Sequence, residues 1–317
     1  MVINSHAFGM RALALFLATT VYRAEAFKLD ESFGHPFITT QAISRVPLPL
    51  GKVFCEDTIK DLVDYNKHTD YFEPMAEEAH CDGEKLNECS KRILDFKNEG
   101  IRLLNKAGAI LANDGDADKL VDQARKKIGK ALHTLQDFYA HSNYVEMVAS
   151  GGGGAATHPS LGKSVLSNPR STDVICLDNF FTLVGTVLSS GYFPITESFG
   201  RWKDRVFCEP IPVGKCRHGF SGRKNCDGIN KDEPGRALFD TAQMLAISAT
   251  TSFLKDIYTS LASDDARNAF LGSCGAKLAY IVDTTGSMGN SIGGVLAFLA
   301  QHATSNANVA RKMSISK

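Results

Sequence analysis

A chain of 317 residues with 44% hydrophobic content is long enough to bury one large core or two modest ones. Its 35 Lys and Arg balance 35 Asp and Glu, so no net field draws it toward nucleic acid or an anionic membrane. The composition also lacks a polybasic tail, a heptad repeat or a low-complexity array, which leaves a globular protein.

The N-terminus reads as an export signal. Met10-Arg11 precedes an apolar run over 12–21, and Ala24-Glu25-Ala26 supplies a small-x-small cleavage site. Residues 1–26 are therefore expected to be a signal peptide, with Phe27 as the mature N-terminus and the protein secreted and extracellular. The residues before Met10 read as an upstream start or an extension of the basic region. A run this short is not expected to form a transmembrane span; a buried core helix is the other reading of it.

Downstream, Gly34-His35-Pro36 ahead of residues 37–43 reads as a helix start. Ile93, Phe96, Ile101 and Leu104, with Leu103 flanking, predict a helix over 87–112. Asp114-Gly115-Asp116 then opens a second helix over 117–147, with Leu120, Ala124, Ile128, Ala131, Leu132 and Leu135 as its stripe. Four glycines at 151–154 end that region in a loop. A further helix is expected near 178–188, and the Pro-, Cys- and Gly-rich stretch 194–235 reads as a disulfide-pinned surface excursion. The last long helix is expected over 236–262, with Leu238, Ala242, Leu245, Ala249 and Phe253 on one side.

Residues 27–270 are thus a mostly α domain. The character changes at residues 277–282, a short β-branched apolar run that ends in Asp283-Thr284-Thr285-Gly286-Ser287, with a helix-like segment from Ser291. Strand, polar loop and helix begin an α/β unit, but one strand cannot bury a sheet's two faces. Residues 271–317 are read as the N-terminal fragment of such a domain.

Eight cysteines in an exported chain suggest disulfides, although eight allow 105 pairings. Cys81 with Cys89, and the trio Cys208, Cys216 and Cys226, lie close enough for local bridges. There is no CxxC pair, so a metal would be held by His and carboxylate, and there is no Asn-x-Ser/Thr sequon.

The most informative stretch is His133-Thr-Leu-Gln-Asp137-Phe-Tyr-Ala-His141-Ser-Asn143. His133, Asp137 and His141 follow one another at i, i+4 spacing and project from nearly one helical face, beside the apolar row. Two neutral imidazoles flanking a carboxylate suit zinc, and the Asp can bridge two ions. The alternative is a hydrogen-bonded His/Asp set that stabilises a packing seam. His68 and His158 lie in polar surroundings and read as surface residues; His6 falls in the signal peptide and His302 in the tail.

At these residues the chain resembles the zinc-dependent phospholipases C and the related S1/P1-type nucleases. It is more similar still to the Het-C-type family and to the helical region before the von Willebrand factor A domain in the family of vertebrate VWA-domain-containing protein 7. Gly191-Tyr192-Phe193, Lys215-Cys216-Arg217-His218-Gly219, Gly228-Ile229-Asn230-Lys231-Asp232 and the Asp283–Gly289 loop fit that second likeness in the same order.

The phospholipase resemblance implies zinc ligands at His35, Asp70, His80, His133, Asp137 and His141, with Asp70 as general base and Asn143 fixing a ligand from behind. The chain departs from that pattern in three ways. The Asp137–His141 gap is shorter and lacks a proline, and Phe27 stands for an N-terminal Trp. The His-x3-Glu that completes a third zinc is also missing, with His218 or Glu146 as substitutes. A one- or two-zinc site is therefore expected.

Asp283, Thr285 and Ser287 resemble the first part of a metal-ion-dependent adhesion site, which implies magnesium once the A domain is complete. Its later ligands would lie beyond Lys317.

Two functions follow as expectations. One is an extracellular binding or adhesion protein with a zinc-stabilised helical domain and a protein ligand. The other is a zinc-dependent phosphoester hydrolase acting on a phospholipid head group. The Het-C likeness adds a role in cell death or self-recognition.

Overall fold

The computed structural model describes residues 32–151, 156–177, 182–183, 187–192, 211–219, 228–272 and 274. The signal peptide over 1–26, the strand over 277–282 and the loop with Asp283, Thr285 and Ser287 lie outside the described residues. A compact unit ends at Leu271.

The described residues are mostly helical. In chain order the helices are α1 (His35–Ser44), α2 (Glu56–Phe72), α3 (Glu77–His80), α4 (Leu86–Leu111), α5 (Asp118–His141), α6 (Tyr144–Ser150), α7 (Phe239–Ser260) and α8 (Asp264–Leu271). A two-residue hairpin, β1 (Cys176–Leu177) and β2 (Thr182–Leu183), pairs antiparallel between α6 and α7. No described helix is long and apolar enough to cross a membrane.

Helix α5 is the axis of the unit, packed against α2, α4 and α7. Its N-terminal half is amphipathic, and from Ala131 to His141 every residue is buried. Ile128, Leu132 and Leu135 join Leu104 of α4 and Phe253 and Leu254 of α7 in one core. Each fully buried Leu or Ile contributes roughly 1.5–3 kcal/mol. The polar residues that share the C-terminal half of α5 bring no such gain and need a partner for every atom.

Helix α2 is not legible in apolar periodicity, because its buried residues are Thr58, Leu62, Asn66, Thr69 and Asp70. It approaches α5 closely at Gly129, where a Cβ would lie 2.5 Å from the Tyr65 Cβ and 3.0 Å from the Asn66 nitrogen. That contact sets Asn66 beside His133 one turn further along α5.

Several sequence expectations are corrected. The helix expected over 117–147 breaks at Ser142, whose backbone is extended and bridges to Ser190. The break frees the His141 carbonyl to accept a hydrogen bond from Gly191 N at 3.0 Å. Where residues 178–188 are described they form β2 and an irregular segment rather than a helix, and β2 pairs with β1, which is anchored by Ile175 and Cys176 donating to Gly214 O.

The described part of 194–235 is only partly at the surface, at 212–213 and 234–235. Lys215, Cys216, His218, Asn230, Lys231 and Asp232 are all buried, since residues 228–231 run beside 217–218 and against the end of α5. Cys81 does bridge Cys89, but Cys216 pairs with Cys176, 40 residues away, rather than within its local trio. No described cysteine is free. His158 and His68 are half-buried rather than on the surface. The first packs on Phe138 and Tyr144, and the second sits edge-on to Tyr65 and Phe72.

Candidate metal centre

The helical spacing of the central motif is realised, but it does not build one site. His133 and His141 stand eight residues apart, about 12 Å along a helix axis, too far to share an ion. Instead, the end of α5 carries two adjoining clusters.

The first cluster gathers His35 from the start of α1, Asp70 from the end of α2, His80 from α3, and His133 and Asp137 from α5. Ligand atoms of His35, His133 and Asp137 all lie within 4.8 Å of one another, as do those of Asp70, His80 and His133. Asp137 stands between the two groups. Its Oδ1 is 3.1 Å from His35 Nε2, and its Oδ2 is 3.0 Å from His80 Nδ1 and 2.9 Å from His133 Nε2. Asp70 Oδ1 lies 3.7 Å from His133 Nε2. No member is more than 3% exposed.

The second cluster joins Asp82, His141 and His218, again with ligand atoms within 4.8 Å. Asp82 Oδ1 is 3.3 Å from His141 Nδ1 and 3.9 Å from His218 Nε2, and the two rings meet edge to face at 4.4 Å.

A common pattern holds the rings. One nitrogen of each imidazole sits at hydrogen-bond distance from an amide or main-chain oxygen. His35 Nδ1 is 2.7 Å from Gln136 Oε1, and His133 Nδ1 is 3.1 Å from Asn66 Oδ1. His80 Nε2 is 3.1 Å from Glu73 O, His141 Nδ1 is 2.9 Å from His80 O, and His218 Nδ1 is 2.7 Å from Gly219 O.

Behind the first cluster the amide orientations follow from the network. Asn66 Nδ2 donates to Thr39 Oγ1 and Gln136 Oε1, and Gln136 Nε2 donates to the Thr39 and Thr250 hydroxyls. The amide oxygens are thereby left to accept from the rings. A ring that donates through Nδ1 presents the lone pair of Nε2 to Asp137, and two lone pairs at about 3 Å repel unless a cation or proton lies between them. The donor set of neutral imidazole and carboxylate, without thiolate, fits zinc.

The electrostatics separate the rings. Burial pulls the His133 pKa down to about 3, despite Asp137 beside it, so the ring is neutral at physiological pH. Burial opposes charge on Asp137, yet His133 and His35 hold its carboxyl well below the usual carboxylate range. For His35 and His80, burial disfavours the proton but Asp137 outweighs it, and both are raised. In the second cluster the same contest, with Asp82 prevailing, raises His141 to about 9. Burial takes His218 down to about 4. His141 Nε2 is buried without a hydrogen-bond partner among the described residues.

Of the residues expected from sequence, His35, Asp70, His80, His133 and Asp137 are brought together, while His141 belongs to the second cluster. His218 joins it there. Glu146 does not, because its carboxylate takes Lys231 Nζ at 2.8 Å. Asn143 fixes main chain rather than a ligand ring: its amide bonds Val187 O and Ser189 N, each at 2.8 Å. Asp82, Asn66 and Gln136 carry no spacing signal of their own. Their neighbours in the chain, Cys81, Asp70 and Asp137, were the available pointers.

The family model described as the VWA7 N-terminal domain matches residues 48–267. The chain is 27% identical over 293 residues to von Willebrand factor A domain-containing protein 7 of Rattus norvegicus, covering 86% of the chain and 29% of that protein. The Homo sapiens protein of the same name is 28% identical over 237 residues, covering 68% and 23%. The Mus musculus protein is 28% identical over 294 residues, covering 86% and 29%. The chain therefore spans less than a third of the length of these curated relatives. No solved structure matches it.

Proposed function

The chain belongs to the family of the VWA7 N-terminal domain, and from that premise we propose that its helical unit is a zinc-stabilised scaffold in a secreted, extracellular binding protein. The observation that carries this reading is the hydrogen bonding of the buried imidazoles: one nitrogen of each is fixed by an amide or main-chain oxygen, and the rings converge on shared carboxylates. Such outer partners orient metal-ligating histidines and set their tautomer. Neutral His133 sets Nε2 2.9 Å from the ionised Asp137, an approach that needs a cation or a shared proton between them.

His35, Asp70, His80, His133 and Asp137 would hold zinc at the first cluster, and Asp82, His141 and His218 at the second. The near-complete burial of every ligand favours a scaffold over turnover, since a catalytic zinc keeps a position open to substrate. Secretion agrees with the cysteine pairing. In a complete A domain, Asp283, Thr285 and Ser287 would bind magnesium and face an extracellular protein ligand.

One observation favours a second reading, zinc-dependent phosphoester hydrolysis. Asp137 turns one oxygen to each side of the first cluster, as a carboxylate bridging two ions would. Bound zinc supplies Lewis acidity for that chemistry. Asp70 would then be the base, and a phospholipid head group the substrate.

The test is elemental analysis of the purified full chain beside His133→Ala and His218→Ala. About two or more zinc per chain, reduced in each variant, supports the reading. A folded chain without zinc ends it. Metal-dependent release of phosphate or phosphocholine, lost in His133→Ala, would favour hydrolysis over scaffold.

A further inference from the structure

The three ligands of the second cluster lie on segments with no shared regular element: the loop between α3 and α4, the last residue of α5, and the irregular stretch around Cys216. A separate device must fix their relative positions. Residues 189–192 provide its main-chain part. Gly191 N donates to His141 O at 3.0 Å, and Gly191 O accepts from Gly83 N at 2.8 Å. Tyr192 O accepts from His218 N at 3.0 Å, and Tyr192 N donates to Cys216 O at 2.8 Å. One short segment therefore touches all three ligand-bearing segments. A Cβ at position 191 would lie 2.6 Å from the His218 Cα, so a glycine is needed for this approach.

The side-chain part is a buried clasp two residues beyond Asp82. The Glu84 carboxylate accepts from Lys215 Nζ at 3.0 Å, Ser189 Oγ at 2.8 Å and Tyr192 Oη at 3.3 Å. Lys215 Nζ also donates to Arg170 O at 2.9 Å, and Glu84 N donates to Ser190 Oγ at 2.9 Å. Glu84 is 7% exposed and Lys215 3%. Glu84 ties the Asp82 segment to residues 189–192, and Lys215 brings in the His218 segment. The backbone on either side of Asp82 is held against its preference, with left-handed φ at the non-glycine residues Cys81 (55°) and Glu84 (61°). Left-handed backbone costs a non-glycine residue on the order of 1 kcal/mol or more, and persists where surrounding contacts over-determine it.

We infer that Glu84 and Lys215 are positioning residues of the second metal cluster: their buried ion pair sets Asp82 and His218 at coordinating distance around His141. This rests on the zinc reading above and goes beyond it. A buried ion pair is a weak source of stability, because desolvation offsets the attraction and an apolar replacement of both partners is often neutral. Its distinctive contribution here is geometric, which makes stability and zinc affinity separable.

The experiment is a chelator-competition zinc titration of the full chain, beside the thermal midpoint of the zinc-free chain, so that bound zinc does not itself enter the midpoint. The second-cluster step is identified as the one that His218→Ala removes. Lys215→Met is expected to weaken that step by about 10–100-fold and leave the first-cluster step unchanged. The double variant Glu84→Gln/Lys215→Met is expected to recover the thermal midpoint but not the affinity. A merely structural role would not split these two readouts. Tyr192→Phe removes one hydroxyl from Glu84 and serves if Lys215→Met does not fold, with an expected loss of about 10-fold. Wild-type second-step affinity in the folded variants, or affinity that returns with the thermal midpoint in the double variant, overturns the inference alone. Absence of zinc from the wild-type chain overturns the zinc reading and the inference with it.

Discussion

The two clusters meet at the end of α5 but are built in opposite ways. The first takes its His and Asp side chains from four helices, and its rings His35 and His133 are backed by a buried amide and hydroxyl network of Thr39, Asn66, Gln136 and Thr250. The second takes one side chain from a helix end and two from irregular segments, backed by main-chain carbonyls, two disulfides and the Glu84–Lys215 pair. Helices fix ligand positions through their own hydrogen bonds and packing. Irregular segments lack an internal ladder, so covalent and ionic cross-links must replace it. The first cluster should therefore depend on core packing, and the second on its cross-links.

The largest expected effect tests the first half of that contrast. His133 lies in both ligand groups of the first cluster, so His133→Ala should remove zinc from both groups and destabilise the fold by several kcal/mol, about 10 °C in thermal midpoint. Calorimetry with and without chelator checks it: the variant should no longer respond to chelation at the first cluster. An undiminished response would place the stabilising zinc elsewhere.

Next in size is removal of the bridge beside His218. The double variant Cys176→Ser/Cys216→Ser is expected to lose about 2–4 kcal/mol in denaturant unfolding. It should also lose second-cluster zinc while keeping first-cluster zinc. Equal loss from both clusters would erase the distinction between them.

A smaller effect is expected behind the first cluster. Asn66→Leu takes the acceptor from His133 Nδ1 and should weaken first-cluster zinc binding by about 10–100-fold without changing the second. Zinc competition titrations of the variant and wild type measure both steps.

The smallest concerns the chain that carries His80. Glu73 binds Arg92 Nη1 at 2.8 Å and Lys130 Nζ, while its carbonyl meets His80 Nε2. Burial works against the Glu73 carboxylate, but Arg92 and Lys130 outweigh it and bring its pKa to about 2 from 4.5. Because the folded value is depressed, the stabilisation is complete above about pH 5 and disappears as the pH falls through about 2. Solvent reaches this pair, so Glu73→Gln should cost only about 1–2 kcal/mol at neutral pH. The gap between variant and wild type should close in unfolding curves taken toward pH 2. A constant gap would assign the cost to packing.

Helices α4, α5 and α7 were legible because their buried faces are apolar, and the i, i+4 placement of His133 and Asp137 follows from helix geometry alone. The resemblance carried His35, Asp70 and His80, whose separations along the chain contain no periodic signal. Helix α2 was hidden for the reason that makes it useful: its inner face presents Asn66 and Asp70 to the site in place of an apolar stripe.

The sequence by itself thus determined a mostly α unit and a helix that carries His133, Asp137 and His141 on one face, because both rest on local periodicity. The tertiary structure alone decided that His133 and His141 serve different clusters. It also decided that Asp82 and His218 complete the second, and that Asn66 and Gln136 orient the rings of the first. Those pairings join residues from 59 to more than 100 positions apart. They depend on Gly129 admitting α2 and on residues 189–192 joining three segments, and no local pattern encodes either contact.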